Sequence, residues 1–548
     1  MNTYLLFDDA HGLHHHFADL MTLSEVQEVA EVDIISSNGT LKVRSTTKPK
    51  KKKIRVYLTR TSLPSYLLTE CLKELGFKVD LIESSFLLAA HSKTKCDLLW
   101  CGCETDEAVP AKLQNRIPAM KFACRKGPMC QLVNLMHELF PGHFTFLPLS
   151  WPIPSQYAAF CHHAFTQREP KNPQYYILKP DEGSQGDGIY LFKSPMDITQ
   201  GTMSRNCVVQ HYIHNPLLIE NYKFDLRLYV LISKLDPLEA YLCKEGLARF
   251  CTEKYEKPNT KNLGKSYMHL TNYSLNKYSS DFVRSEEESE GSKRTVTSVM
   301  KTLEMLGHDT DKIWSSIKDI VFKTLICIAP LTKVEQLNMD NFKANNTQHF
   351  HLLGFDILLD EDLNPFLLEI NGFPSMRTDS EIYDELMQKT TVPSPVDEKV
   401  KKTALKGALH ILFKHKVDDS YCPVVGPDIS EEQKPYLIFE DCRKLFTLFL
   451  KKSTLRKGSM LGSSGFRSFV RSCKVLKIVE GVTNADMDLL YINIIQQSDE
   501  SSQRCLSFLS FYRLLLTLAV KKFPLESRYQ ALKQFIDVCF ANYTAANK

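Results

Sequence analysis

The stretch "LLGFDILLDEDLNPFLLEING", residues 352–372, reads as a β-hairpin: an apolar strand, an acidic turn and a second apolar strand. Asp356 lies inside the first strand. Glu369 and Asn371 close the second, two residues apart and therefore on one side of it. Pairing of the strands brings Asp356 beside them. Three hard oxygen donors among apolar neighbours suit Mg²⁺, which keeps some waters and takes other ligands from nucleotide phosphates. Carboxylates buried without a cation are protonated or destabilising. A structural acidic pair is the competing reading.

Upstream, "YYILKPDEGSQGDGIYLF" (175–192) sets Lys179 and a glycine-rich turn between two strand-like runs. Glycines let backbone N–H groups approach phosphate oxygens without Cβ interference. The turn is neither a Walker A loop nor a Rossmann fingerprint, since no Gly-Lys-Ser/Thr and no helix follow. Alone it fits an ordinary hairpin. In "YKFDLRLYV" (222–230), Lys223, Asp225 and Arg227 alternate and so share one strand face, a face that needs a ligand or internal salt bridges. "MHLTNYS" (268–274) suits a ligand-lining loop as well as any turn.

At 548 residues, with 43% hydrophobic and 24% charged residues, the chain is expected to form several soluble domains. Four segments are expected. Residues 1–53 form a flexible segment ending in the basic linker "KPKKKK"; 54–170 form an α/β domain on a largely parallel sheet. Residues 171–415 form the central region, and 416–548 a separate α-helical module. Within the central region, 281–297 reads as a mobile acidic loop. Residues 394–415 read as a helix with Val396, Val400, Ala404, Ala408 and Leu412 on one stripe.

A net charge of only +4 gives no global basic field, so nucleic acid is not an expected partner. No uncharged apolar stretch reaches the length of about 18 residues that a membrane helix needs. No signal-peptide core is evident. The sixteen scattered cysteines read as reduced thiols, with Cys101 and Cys103 too close for a zinc knuckle. His14, His15 and His16 read as a solvated run.

Glycine turn, preceding lysine, cationic strand and acidic hairpin follow the order of an ATP-grasp enzyme. More narrowly, "ILKPDEGSQGDGIYL", "KFDLRLYVLI", "DPLEAYLCKEGLARFCTEKY", "MHLTNYSLNK", "GFDILL" and "LEINGFPSM" resemble the tubulin tyrosine ligase-like family. So do "NRIPAMKFACRKGPMCQLVNLM" (115–136) and, loosely, "FLPLSWPIP" (146–154); the likeness covers roughly 54–415. "EGLARFCTEKY" with "GSKRT" resembles the glutamate-adding (polyglutamylase) branch. "NGFPSMRTDSE" with "VPSPVDEKVK" resembles the members that extend existing glutamate chains.

The resemblance implies an α/β ATP-grasp fold and assigns roles. Lys179 contacts ATP phosphate, and Gln185, Gly186, Asp187, Gly188 and Ile189 fold over the triphosphate. Gln210, His211, Tyr212 and Ile213 form the strand that reads adenine through its backbone. Lys223, Phe224 and Asp225 contact the nucleotide, with Thr271 and Asn272 near the phosphates. Asp356, Glu369 and Asn371 hold Mg²⁺. Arg249, Tyr273, Ser274 and Lys293 hold free L-glutamate, and Arg227 stabilises charge in the transferring phosphoryl group. Tubulin tails on microtubules are the implied acceptor. Lys399, Lys401, Lys402 and Lys406 are a candidate microtubule contact or a solvated helix face. A monomer in the cytoplasm and cytoskeleton, including cilium or basal body, is implied.

Gly127, Gln131 and the pair Gly372-Phe373 depart from the family pattern and bear on acceptor preference. A glycine ligase of the same family and an inactive microtubule-binding adaptor are the alternatives. Residues 466–524 resemble the core domain of the tubulin polymerization-promoting protein family, an EF-hand-like fold. No Asp-x-Asp-x-Asp-Gly loop is present, so calcium is not an expected ligand; Thr483 and Asp486 fit a capping box.

Overall fold

The computed structural model describes residues 34–37, 40–43, 51–84, 96–102, 111–167, 173–181, 186–338, 347–383, 389–450, 459–496 and 504–547. His14–His16, Cys103 and Gln185 lie outside them. The chain divides into two compact units, Met1–Lys53 with Gly76–Lys78, and Ile54–Leu75 with Val79–Lys548. The first contains the antiparallel pair Ile34–Ser37 and Thr40–Val43. Everything below concerns the second.

Its N-terminal sheet runs in the order Gln348–His349, Ala111–Gln114, Cys96–Cys101, Lys53–Thr59, Lys78–Ser84. Lys53–Thr59 and Cys96–Cys101 are parallel, as are Cys96–Cys101 and Ala111–Gln114. The helix Ser65–Glu74 connects two of these strands and buries Leu67, Leu68, Cys71 and Leu72. Short apolar runs separated by an amphipathic helix force this crossover arrangement.

A four-stranded antiparallel sheet follows, in the order Ser150–Ile153, Cys207–His211, Tyr176–Pro180, Tyr190–Phe192. Its apolar side packs Phe160 of the helix Tyr157–Thr166 against Tyr176 and Trp151.

The largest sheet carries the candidate site. Its path is Lys293–Thr295, Leu238–Phe250, Tyr222–Leu235, His351–Leu359, Pro365–Asn371, all antiparallel. Phe224, Leu226, Leu228, Val230 and Ile232 point to the hydrophobic core, which the helices Val296–Met305 and Thr310–Glu335 help to fill. The expected hairpin is present. Its acidic turn is held by Asp360, whose Oδ1 accepts from the N–H groups of Asp362 (3.0 Å) and Asn364 (2.8 Å). Asp360 therefore shapes the turn.

Two expectations are corrected. Residues 281–297 are tied into the fold: Ser292 N donates to the Val283 carbonyl (2.9 Å) and Phe250 N to the Ser292 carbonyl (2.9 Å), and Lys293–Thr295 forms an edge strand. The polar side chains that suggested mobility satisfy turns and a helix cap, as when Thr295 Oγ1 accepts from Ser298 N. The basic helix, Pro395–Lys414, buries the expected apolar stripe, but its lysines are already partnered. Lys401 is buried against Asp397 (2.7 Å), Lys399 meets Glu288, Lys402 meets Glu70 and Glu74, and Lys406 meets Glu74. They are not a free cationic strip.

The chain ends in the helices Ile438–Leu450, Ser463–Ser472, Asn484–Gln496, Phe508–Lys522 and Arg528–Ala546. Phe439, Phe446, Phe449, Phe511 and Tyr512 join one hydrophobic core with Phe322, Leu325 and Ile328 of the long helix. The capping box forms: Asp486 N donates to Thr483 Oγ1 (3.2 Å) and Thr483 N to Asp486 Oδ2 (2.8 Å). Among the described residues, no helix is long and apolar enough to cross a membrane.

Candidate active site

Strand register builds the site. Arg227 stands opposite Asp356, and Asp356 opposite Glu369. One rung along, Asp225 stands opposite Arg249, and Arg249 opposite Lys293. Side chains two apart in a strand share a face, so adjacent rungs gather these charges into one patch.

Arg249 bridges both rungs. Its Nε donates to Asp225 Oδ1 (2.8 Å), and its terminal Nη2 to Asp225 Oδ2 (2.5 Å) and Asp356 Oδ2 (2.7 Å). Arg227 grips Asp356 through Nε and through Nη2 (2.9 Å). Thr271 Oγ1 adds a donor to Asp225 Oδ2 at 2.7 Å. Asp356 is fully buried. Burial alone disfavours its anion, but Arg227 and Arg249 outweigh that and hold the carboxyl well below the usual range.

Asn371 Nδ2 lies 3.4 Å from both Asp356 Oδ2 and Glu369 Oε1, so the three side chains converge. The other Glu369 oxygen, Oε2, meets Lys126 Nζ at 3.2 Å. Two carboxylates and an amide are hard donors too few to fill an octahedral shell, which suits Mg²⁺ completed by water and phosphate. The donor set fits that ion.

Beside this patch opens a cleft lined in part by Lys179, Gln210, His211, Tyr212, Ile213 and Lys223. Lys179 Nζ donates to Gln210 Oε1 (2.7 Å) and to the Leu368 carbonyl (3.3 Å), next to Glu369. Gln210 is itself fixed by donating to Ser150 Oγ (2.8 Å). Lys223 Nζ donates to Tyr212 OH (2.9 Å) and to the His269 carbonyl (2.9 Å). Burial lowers both lysines to about 8, opposed only in part by Glu369 at Lys179 and by Cys251 and Asp225 at Lys223. His269 is lowered to about 4 by burial and by Lys223.

Ile189, Asp225, Arg249, Thr271, Asn272, Asp356 and Glu369 also line the cleft. Gly186 and Gly188 have φ of +84° and +69°, open to glycine at no steric cost. A Cβ on Gly186 would come within 3.6 Å of the Asn272 side chain, and one on Gly188 within 3.0 Å of Pro180. Asp187 is exposed at the turn. Phe224 is a correction: alternation turns its ring into the core, where it stacks on Phe250, away from the cleft lining.

Lys293 is held rather than swinging. Its Nζ donates to Asp397 Oδ2 (2.5 Å) and lies 3.6 Å from the Tyr273 ring centroid. The Tyr273 hydroxyl accepts from Glu381 N (3.3 Å), and Ser274 follows it, half-buried, in the short helix Tyr273–Asn276.

Residues 104–393 match the tubulin-tyrosine ligase family, and 425–547 match the EF-hand of tubulin polyglutamylase TTLL11. Human tubulin polyglutamylase TTLL11 is 37% identical over 491 residues, covering 81% of this chain and 68% of that protein. The chain belongs to the tubulin-tyrosine ligase family. Tubulin polyglutamylase ttll-11 of Caenorhabditis elegans is 30% identical, covering 95% of this chain and 78% of its own length. Zebrafish (Danio rerio) tubulin polyglutamylase ttll6 is 40% identical over 304 residues, 54% of this chain and 38% of that protein.

Other residues complete the candidate site. Arg125, Lys126 and Gly127 clamp two elements at once. Arg125 pairs with Asp181 (2.7 Å), Gly127 N donates to Asp181 Oδ1 (2.8 Å), and Lys126 meets Glu369. The departure at Gly127 has a local reason: an added Cβ would sit 3.3 Å from Asp181 Oδ1. Ile177, Leu270, Leu358 and Leu368 supply apolar walls. An apolar strand residue looks the same in sequence whether it faces a core or a ligand, so no signal marks these four.

Proposed function

We propose that the chain is an ATP- and Mg²⁺-dependent tubulin polyglutamylase of ATP-grasp architecture that lengthens glutamate chains on tubulin tails. The observation that carries this reading is the Lys179 ammonium donating to the Leu368 carbonyl at 3.3 Å. It sets the lysine before the glycine turn against the residue preceding Glu369. The polyglutamylase names of the relatives support the substrate class.

The acceptor carboxylate displaces ADP from the γ-phosphorus of ATP, giving an acyl phosphate. The α-amine of free L-glutamate attacks the acyl carbon. Phosphate leaves with the C–O electron pair, and the amine loses a proton as the amide forms. Positioning and charge neutralisation supply the catalysis, so no protein nucleophile is required. Lys179 and Lys223 neutralise phosphate, and the backbone of Gln210–Ile213 lies along the base. Arg227 stabilises charge at the transferring group. Arg249 and Lys293, neighbours on one rung, present cations to the carboxylates of glutamate, with Tyr273 and Ser274 beside them. Held by Asp356, Glu369 and Asn371, Mg²⁺ would screen the phosphate oxygens. The chain acts as a monomer on the cytoskeleton, including the cilium or basal body.

The test is incubation with microtubules, ATP, Mg²⁺ and labelled glutamate or glycine, with mass spectrometry of the tubulin tails. Successive glutamate additions are expected. Glycine additions, or tails unchanged in mass, would overturn the reading.

A further inference from the structure

His269, in the stretch "MHLTNYS", is fully buried at the wall of the nucleotide cleft, with both ring nitrogens engaged. Nε2 lies 3.0 Å from the Asn262 carbonyl oxygen, and Nδ1 lies 3.0 Å from the Tyr212 hydroxyl. A carbonyl only accepts, so Nε2 carries the ring proton. Nδ1 of a neutral ring is then an acceptor, and the Tyr212 hydroxyl donates to it. The lone pairs of the Tyr212 oxygen are left for Lys223, whose Nζ donates to it at 2.9 Å. One backbone carbonyl at the far end thus sets the proton direction along the whole chain.

That far end is tied down. The Asn262 carbonyl also accepts from Lys265 N (2.9 Å). The Asn262 side chain closes its own loop, with Oδ1 accepting from Asn259 N (2.8 Å) and Nδ2 donating to the Lys257 carbonyl (3.1 Å). The rings of Tyr212 and Tyr255 meet the imidazole edge-on, at 5.6 Å and 5.8 Å. Burial and the neighbouring Lys223 lower His269 to about 4, and burial holds the Tyr212 phenol well above its ordinary range. At neutral pH the protons therefore stay where the geometry assigns them.

Lys223 depends on this arrangement. Its ammonium is buried over the Tyr212 ring, 4.4 Å from the centroid. A cation taken out of water keeps its proton only as well as the acceptors and charges around it allow. Its described acceptors are the Tyr212 oxygen and the His269 carbonyl (2.9 Å), so His269 supplies one and orients the other. We infer that His269 is a positioning residue for ATP: by fixing the Tyr212 proton, it holds Lys223 as an ammonium in the wall of the nucleotide cleft. The inference rests on the proposed ligase reading and deepens it, naming what orders the phosphate-binding lysine.

Two amide substitutions separate the roles of the two nitrogens. His269→Gln reaches the Asn262 carbonyl with an N–H but leaves the Tyr212 hydroxyl without its acceptor. His269→Asn sets an amide oxygen where Nδ1 stood and gives up the bond to Asn262. Each loses one buried hydrogen bond, so the two should lower the melting temperature to a similar extent. Binding of a non-hydrolysable ATP analogue with Mg²⁺, measured by calorimetry, should weaken about tenfold in His269→Gln and less than threefold in His269→Asn. Tyr212→Phe should weaken it at least as much as His269→Gln, and adding His269→Gln to it should cost nothing further, since both act through one bond. In glutamate incorporation, His269→Gln should raise KM for ATP and leave KM for free glutamate within twofold. The wild-type chain needs no substitution to be tested: imidazole ¹⁵N NMR reads the tautomer, and the signal that His269→Asn removes should show a proton on Nε2 alone. A proton on Nδ1, equal losses of affinity in the two amide variants, or additive losses with Tyr212→Phe would overturn the relay. A wild-type chain that shows the expected tautomer but binds no ATP analogue would instead sink the ligase reading.

Discussion

Arg249 holds two buried carboxylates on adjacent rungs, Asp225 and Asp356, so it is structural as well as a candidate glutamate clamp. Removing one partner of a buried ion network leaves an uncompensated charge and costs about 3–5 kcal/mol. Arg249→Ala should therefore lower stability in urea denaturation by that order and abolish glutamate incorporation. Arg249→Lys should recover part of the stability but little activity, because an ammonium cannot reach both carboxylates in a fork. Wild-type stability in Arg249→Ala would contradict the bridging role. Lys179 and Lys223 give a pH signature. Both are lowered by burial from 10.5 to about 8, so between those values the folded chain binds fewer protons than the unfolded one. The stability they contribute is depressed below about 8 and rises with pH across that window. A bound triphosphate favours the protonated ammonium groups, so binding of a non-hydrolysable ATP analogue near pH 8.5 should take up protons. Calorimetry in two buffers of different ionisation heat measures this. Zero uptake would remove both lysines from the phosphate site.

The edge strand Lys293–Thr295 and the helix Pro395–Lys414 are joined through Asp397, which receives both Lys293 and Lys401. Burial opposes the Asp397 anion, but Lys401 and Lys293 outweigh it and hold the carboxyl below its ordinary range. The stabilisation is present above the ordinary value of 3.8 and is lost as pH falls through the depressed one. Asp397→Asn should cost about 3–5 kcal/mol at neutral pH. The gap from wild type should narrow as the solution is acidified below about pH 4. A gap independent of pH would show that packing, not charge, accounts for it. Because Lys293 loses its anchor, KM for glutamate should rise more than KM for ATP, which initial-rate kinetics at neutral pH will read.

The described C-terminal helices and the sheet that carries the candidate site share one apolar interior across the helix Thr310–Glu335. Polar contacts reinforce this: Lys333 pairs with Glu440 (3.5 Å), Tyr436 OH meets His143 Nδ1 (2.8 Å), and Phe140 packs on Tyr436 and Tyr529. Phe446 is completely buried there, so Phe446→Ala should destabilise by about 3–5 kcal/mol. Scanning calorimetry should show that loss as one cooperative transition shifted downward, with ligase activity lost at the same temperature. Two transitions, one unaffected, would mean that the helical part unfolds independently.

Much of the site was legible because β-strands encode faces with a period of two. The alternation Lys223, Asp225, Arg227 and the spacing Glu369, Asn371 fixed a charged face and a convergent donor set before any partner was known. Local sequence likewise marked the hairpin, the capping box at Thr483 and the buried stripe of the helix Pro395–Lys414. Which charge meets which is a matter of register between strands far apart in the chain, and only the assembled sheet decides that. The sheet gave Arg227 to Asp356, made Arg249 a bridge and turned Lys293 from a mobile loop residue into an anchored one. It also used up the helix lysines on nearby glutamates, a pairing that depends on which surfaces happen to lie within a few ångströms. Periodicity is a property of neighbours along the chain, whereas charge pairing and cleft walls belong to neighbours in space.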